Sequence, residues 1–151
     1  MPPIAPSHLY TIIALMAVST LLTSSFTAYT STLRFSSEIN SLKDLVSHVA
    51  AKCTELLTLT LATNATVEAY LQLPSTVGNL QYWIQFNNDS EMLWVEGGFG
   101  EKPTAYSEIR VYAPSGAFAS GYYVGGFGKA YIKCRMGANV PEILLSNSGG
   151  A

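Results

Sequence analysis

Tyr10-Thr-Ile-Ile-Ala-Leu-Met-Ala-Val-Ser-Thr-Leu-Leu22 is the apolar centre of a run, residues 9–33, that contains no charged side chain. As a helix, residues 9–29 would span roughly 30 Å at 1.5 Å per residue, the thickness of a bilayer's hydrocarbon core. The hydroxyls of Ser19, Thr20, Thr23, Ser24, Ser25 and Thr27 lower its hydropathy, but Ser and Thr can bond back to carbonyls of their own helix. Two other readings compete. A secretory signal could be cut after Ala17-Val-Ser19, although no positively charged leader precedes the apolar run, and a buried core helix of this length would be unusual. Thr20, Ser24, Ala28 and Thr32 recur every fourth residue, a strip of small side chains that would admit a second helix closely or simply reflect local composition.

The helical pattern does not stop at Arg34. Phe35, Ile39, Leu42, Val46, Val49, Cys53 and Leu56 follow in steps of four and three, which lines one face of a helix with apolar side chains. No Pro or Gly occurs between Ser7 and Leu73, so nothing in the covalent chain breaks the helix where the uncharged run ends. The opposite face, Ser36, Ser37, Asn40, Lys43 and Asp44, is polar. The seam could pair with copies of itself or lie on a following domain; the doubled apolar positions Leu45-Val46 and Leu56-Leu57 widen it and favour packing on a sheet.

After about Thr58 the period changes to two. Val67, Ala69, Leu71 and Leu73 alternate with polar or aromatic residues, as do Tyr82, Ile84 and Phe86, and turn signals stand at 74–78, 87–90 and 114–116. Further strands are expected at 92–96, 105–113, 117–124, 129–136 and 141–145. The fold class is therefore α+β: one long N-terminal helix, part membrane and part amphipathic, packed on a compact antiparallel β-sandwich or barrel. The divisions expected are residues 1–33 as membrane anchor or filament core, 34–58 as amphipathic stalk and 59–151 as β domain.

Composition narrows the chemistry. Only 12% of the 151 residues are charged and the net charge is -2, so no broad basic surface exists to neutralise nucleic-acid phosphates. His8 and His48 stand apart from any nucleophile or carboxylate pair, and metal-ligand spacings are missing, so neither catalysis, a cofactor nor a metal is expected. The tetrapeptide Gly-Gly-Phe-Gly occurs at 97–100 and at 125–128. Lys129 follows the second copy, but a phosphate loop would need Gly in place of Tyr123 and Ser or Thr in place of Ala130. Both copies are expected to be tight turns or bulges.

Four sets of residues remain as candidates. Cys53 on the seam and Cys134 on the inward face of its strand could form a disulfide closing a loop of about 80 residues, worth roughly 4 kcal/mol, or be two buried thiols. Asn64-Ala-Thr66 and Asn88-Asp-Ser90 match the N-glycosylation tripeptide. Tyr70, Trp83, Tyr106 and Tyr112 give a weakly charged sheet outward rings, suited to like subunits, a surface-layer protein or a glycan, or else to cross-strand pairing. The fourth set is the seam itself. Sequons and disulfide place the β domain outside the cytoplasm; Arg34 and Lys43, following the apolar run, point the other way under the positive-inside rule.

This plan, with the run Leu71-Gln-Leu-Pro-Ser-Thr-Val-Gly78 and then Tyr82-Trp-Ile-Gln-Phe86, resembles archaeal type IV pilin-like proteins, the group that includes archaellins and archaellum accessory proteins. The resemblance implies a cell-surface β-sandwich on a helical stalk, acting as filament subunit or as an anchored part of the machine. Met1 to His8 departs from that family's processing signal, a charged residue then a small one ahead of the hydrophobic run.

Overall fold

The computed structural model describes residues 6–101, 103, 107, 109–114 and 116–148, and all that follows concerns these. A single helix, α1, runs from Pro6 to Thr63. It continues five residues past the end expected from the apolar period, because Leu59, Thr60 and Leu61 keep helical spacing and no breaker intervenes. Asn64 then takes a left-handed backbone (φ 53°), and its N–H donates to the Thr60 carbonyl at 2.8 Å, closing the C-terminus.

Seven strands follow: β1 (Val67–Leu71), β2 (Tyr82–Asn88), β3 (Leu93–Phe99), β4 (Ile109–Ala113), β5 (Phe118–Val124), β6 (Ala130–Met136) and β7 (Pro141–Asn147). They form one sheet in the order β1-β6-β7-β5-β2-β3-β4, antiparallel except for the parallel pair β5 and β7. The sheet does not close into a barrel; residues 38–63 of α1 supply the second layer. Residues 105, 106 and 108 of the expected fourth strand lie outside the described residues.

The alternation predicted from sequence sets the two faces of the sheet. Leu71, Ile84, Phe86, Leu93, Val95, Ile132, Ile143 and Leu145 join Leu42, Val46, Val49, Cys53, Leu56 and Leu57 of α1 in one buried cluster. The other face shows Tyr70, Trp94, Arg110, Tyr112, Tyr122, Tyr131 and Lys133.

The chain divides into two compact units, Met1–Ser37 and Glu38–Ala151. Within the second, the ends of the sheet can be told apart by which part of α1 they meet. A side chain on Gly78 would strike the Glu38 carboxyl, and Gly97 faces Leu42 and Val46. At the other end Thr58 and Leu61 line a small cleft with Pro114, Gly116 and Pro141.

The two Gly-Gly-Phe-Gly copies serve different purposes. Only the second is a turn, between β5 and β6. The first lies largely inside β3, contrary to expectation, and the reason is steric: a Cβ on Gly97 would stand 2.5 Å from the Val46 Cγ2, so the missing side chain is what lets α1 approach the sheet there.

Candidate functional site

Residues 6–36 of α1 are exposed except Thr30, although the 18-residue apolar window in this helix has a mean hydropathy of 1.7 and none of it is buried. Leu9, Tyr10, Leu21, Leu22 and Phe26 (73% exposed) lie around the circumference and not on one stripe. Many of the hydroxyls in this segment are satisfied locally. Thr11, Thr20, Thr23, Ser24, Thr27 and Thr30 each donate to the carbonyl four residues earlier at 2.8 Å, so they would carry no unpaired donor into an apolar medium. This helix is long and apolar enough to cross a membrane.

Of the seam residues, Leu42, Val46, Val49 and Leu56 are buried and Ile39 packs against their cluster. Phe35 is exposed, and it belongs to the first unit. The seam that buries against the sheet thus begins one step later than the sequence pattern does.

Cys53 and Cys134 are both free and fully buried in this core. They are near enough that a charge on one disfavours a charge on the other. Burial first, and then Cys134, push the Cys53 thiol up to about 12, while burial raises Cys134 against a smaller lowering by the Thr60 hydroxyl. The disulfide allowed by sequence is not formed; the thiols pack as two small apolar side chains where helix and sheet meet.

Asn64 is exposed, just beyond the helix. Asn88 is half-buried at the end of β2, where its Oδ1 accepts from the Ala119 N–H at 3.4 Å. In the turn that follows, the Glu91 and Met92 N–H groups both donate to Asp89 Oδ1 at 2.8 Å and lower its pKa. Both sequons lie at the end of the sheet away from Glu38.

The aromatic candidates divide. Tyr70 and Tyr112 are exposed, yet each pairs across strands: Tyr70 opposite Tyr131, ring centroids 5.0 Å apart, and Tyr112 opposite Trp94 at 6.4 Å. Trp83 is not a surface residue. It is fully buried, flanked by Gly98 of β3 and Val124 of β5, and its indole N–H has no hydrogen-bond partner among the described residues. Tyr106 lies outside the described residues. His48 is on the exposed face of α1, as its position predicted.

The structure adds a group that sequence reasoning did not assemble. Glu96 is nearly buried on the outer face of β3 and accepts from Trp94 Nε1 (2.8 Å) and Asn87 Nδ2 (3.1 Å). Arg110 on β4 pairs with Glu96 at 2.5 Å and stacks 5.0 Å from the centre of the Trp94 ring. Period-two spacing does put Trp94 with Glu96 and Arg110 with Tyr112; the register that joins the two strands is what sequence lacked. Farther across the same face, Phe118, Ser120, Lys133, Arg135, Glu142 and Leu144 border an open groove of about 370 Å³. Its cations are matched: Lys133 with Glu68 at 3.0 Å and Arg135 with Glu142 at 2.7 Å, and the Lys133 ammonium lowers the Glu68 pKa. Such ion pairs at the surface position side chains and contribute little stability. Among the described residues no three His, Cys, Asp or Glu side chains gather as a metal site.

No protein-family model, no curated protein and no solved structure matches the chain.

Proposed function

We propose that this chain is an envelope-anchored, pilin-like structural protein. Residues 9–33 hold it in the membrane or bundle with like helices, and the β unit meets partners outside the cytoplasm, either like subunits of a filament or a surface-layer protein. One observation carries the reading: a single helix is apolar all round and exposed in its first half, then narrows to one buried stripe in its second. A helix apolar around its whole circumference needs an apolar surrounding, whereas a striped one needs only a sheet. The two N-glycosylation tripeptides at Asn64 and Asn88, both in the β unit, support an outward placement. No catalytic or cofactor role is proposed.

The reading is tested on the full chain expressed in its host. It should stay with the membrane pellet through a high-pH carbonate wash, and protease added to intact cells should remove the β unit. Release by carbonate, or protection of the β unit in cells whose envelope is sealed, would overturn the anchor or its orientation respectively. A second reading rests on the Trp94, Arg110 and Tyr112 group: an anchored binding module whose aromatic face takes a glycan. It differs in requiring saccharide binding by an isolated chain, where a filament subunit requires only its own copies.

A further inference from the structure

The two glycosylation tripeptides share a pattern, but the fold sets them in backbone of opposite kinds. Asn64-Ala-Thr66 is the entire connection between α1 and β1, and all three residues are exposed. The bonds that hold this connection come from the main chain and from Thr63. The Asn64 N–H donates to the Thr60 carbonyl at 2.8 Å, and the Ala65 N–H to Thr63 Oγ1 at 3.4 Å. Neither the side-chain amide of Asn64 nor the hydroxyl of Thr66 has a hydrogen-bond partner among the described residues. Asn64 also holds φ 53°, left-handed backbone in which Asn is one of the few common residues with a side chain. Its main chain closes the helix while its amide is left to solvent.

Asn88-Asp-Ser90 is held on every side. Asn88 is the last residue of β2, paired with Leu93 of β3, and on the other flank its Oδ1 accepts from the Ala119 N–H of β5. The Asp89 N–H donates to the Met92 carbonyl at 2.9 Å, and Asp89 Oδ1 accepts from the N–H groups of Glu91 and Met92. An enzyme that glycosylates Asn must seat the amide and the hydroxyl of the tripeptide together, so it needs backbone that can leave its neighbours. Exposed connections with few bonds can do so, whereas a strand end clamped between two others must first be unfolded locally. Asn64 meets this requirement in the folded chain and Asn88 does not.

We propose that Asn64 is the attachment site of an N-linked glycan and that folding closes Asn88 to the same chemistry. The donor is an oligosaccharide carried on a lipid diphosphate. Asn64 Nδ2 bonds to the anomeric carbon, the bond from that carbon to the diphosphate oxygen breaks with its electron pair, and the amide nitrogen gives up one proton. Addition of the sugar in the cell rests on the outward placement of the β unit. The folded full chain in detergent micelles is incubated with an oligosaccharyltransferase and a lipid-diphosphate glycan, and the products are read by intact mass and peptide mapping. The parent should gain one glycan, on Asn64. Thr66→Ala should gain none and Ser90→Ala still one; both residues are exposed, so both variants should keep the far-UV spectrum of the parent. A synthetic peptide of residues 85–93 should be glycosylated at Asn88, because only the fold protects it. A glycan on Asn88 of the folded chain, a bare Asn64 or an inert peptide overturns the proposal. The chain isolated from its host should carry the same single glycan. A bare Asn64 there, in cells where external protease removes the β unit, overturns this proposal alone; a bare Asn64 with the β unit protected overturns the outward placement as well.

Discussion

A thiol in the core reports on packing through its acidity. Cys53 ionises near 9.0 in the unfolded chain and at about 12 when folded, so the folded state holds its proton where the unfolded state has released it. Stability from this group is therefore complete below pH 9.0, and it is lost progressively as pH rises towards 12. Cys134, Tyr82 and Tyr123 are raised as well, each chiefly by burial, and act in the same direction. We expect denaturation midpoints to fall steeply on the alkaline side, and Cys53→Ala to flatten that fall. At neutral pH a thiol reagent should find neither cysteine in the folded protein and both after unfolding; one disulfide in place of two thiols would refute the free-thiol core.

At the scale of elements, the approach of α1 to the sheet is set by a missing side chain. Gly97 stands where any Cβ would press into Val46, itself fully buried. Gly97→Ala should destabilise by about 1–3 kcal/mol through overpacking. Val46→Ala opens space at that point, so the double variant should cost less than the sum of the single ones, a coupling measurable by denaturant unfolding. Strict additivity would mean that the contact between β3 and the helix is looser than the geometry indicates. Glycine between two strand-like runs reads equally as a turn, and only the position of the helix distinguishes the copy in β3 from the copy after β5.

At the scale of the whole molecule, an exposed apolar unit precedes a unit that has a core of its own. Every side chain of the buried cluster lies between Leu42 and Leu145, so the unit Glu38–Ala151 carries its entire core and residues before it add none. A fragment beginning at residue 38 should be soluble, unfold cooperatively, and stay behind when the full chain floats with vesicles. Calorimetry or denaturant titration with a broad, non-cooperative transition in the fragment would show that the first unit is needed for folding.

The uncharged run, the four-and-three spacing after it and the switch to period two are local properties of the chain, and they determined the long helix, its buried stripe from Ile39 to Leu56 and the existence of seven strands. Contacts between residues distant in sequence are not written in any local period. The strand order with its parallel β5–β7 pair, the burial of Trp83, the assembly of Glu96 with Asn87, Trp94 and Arg110, and the outward ring of Phe127 were decided only in three dimensions. Side-chain alternation says which residues share a face. Register and neighbouring layers say which of them meet, and which stay exposed.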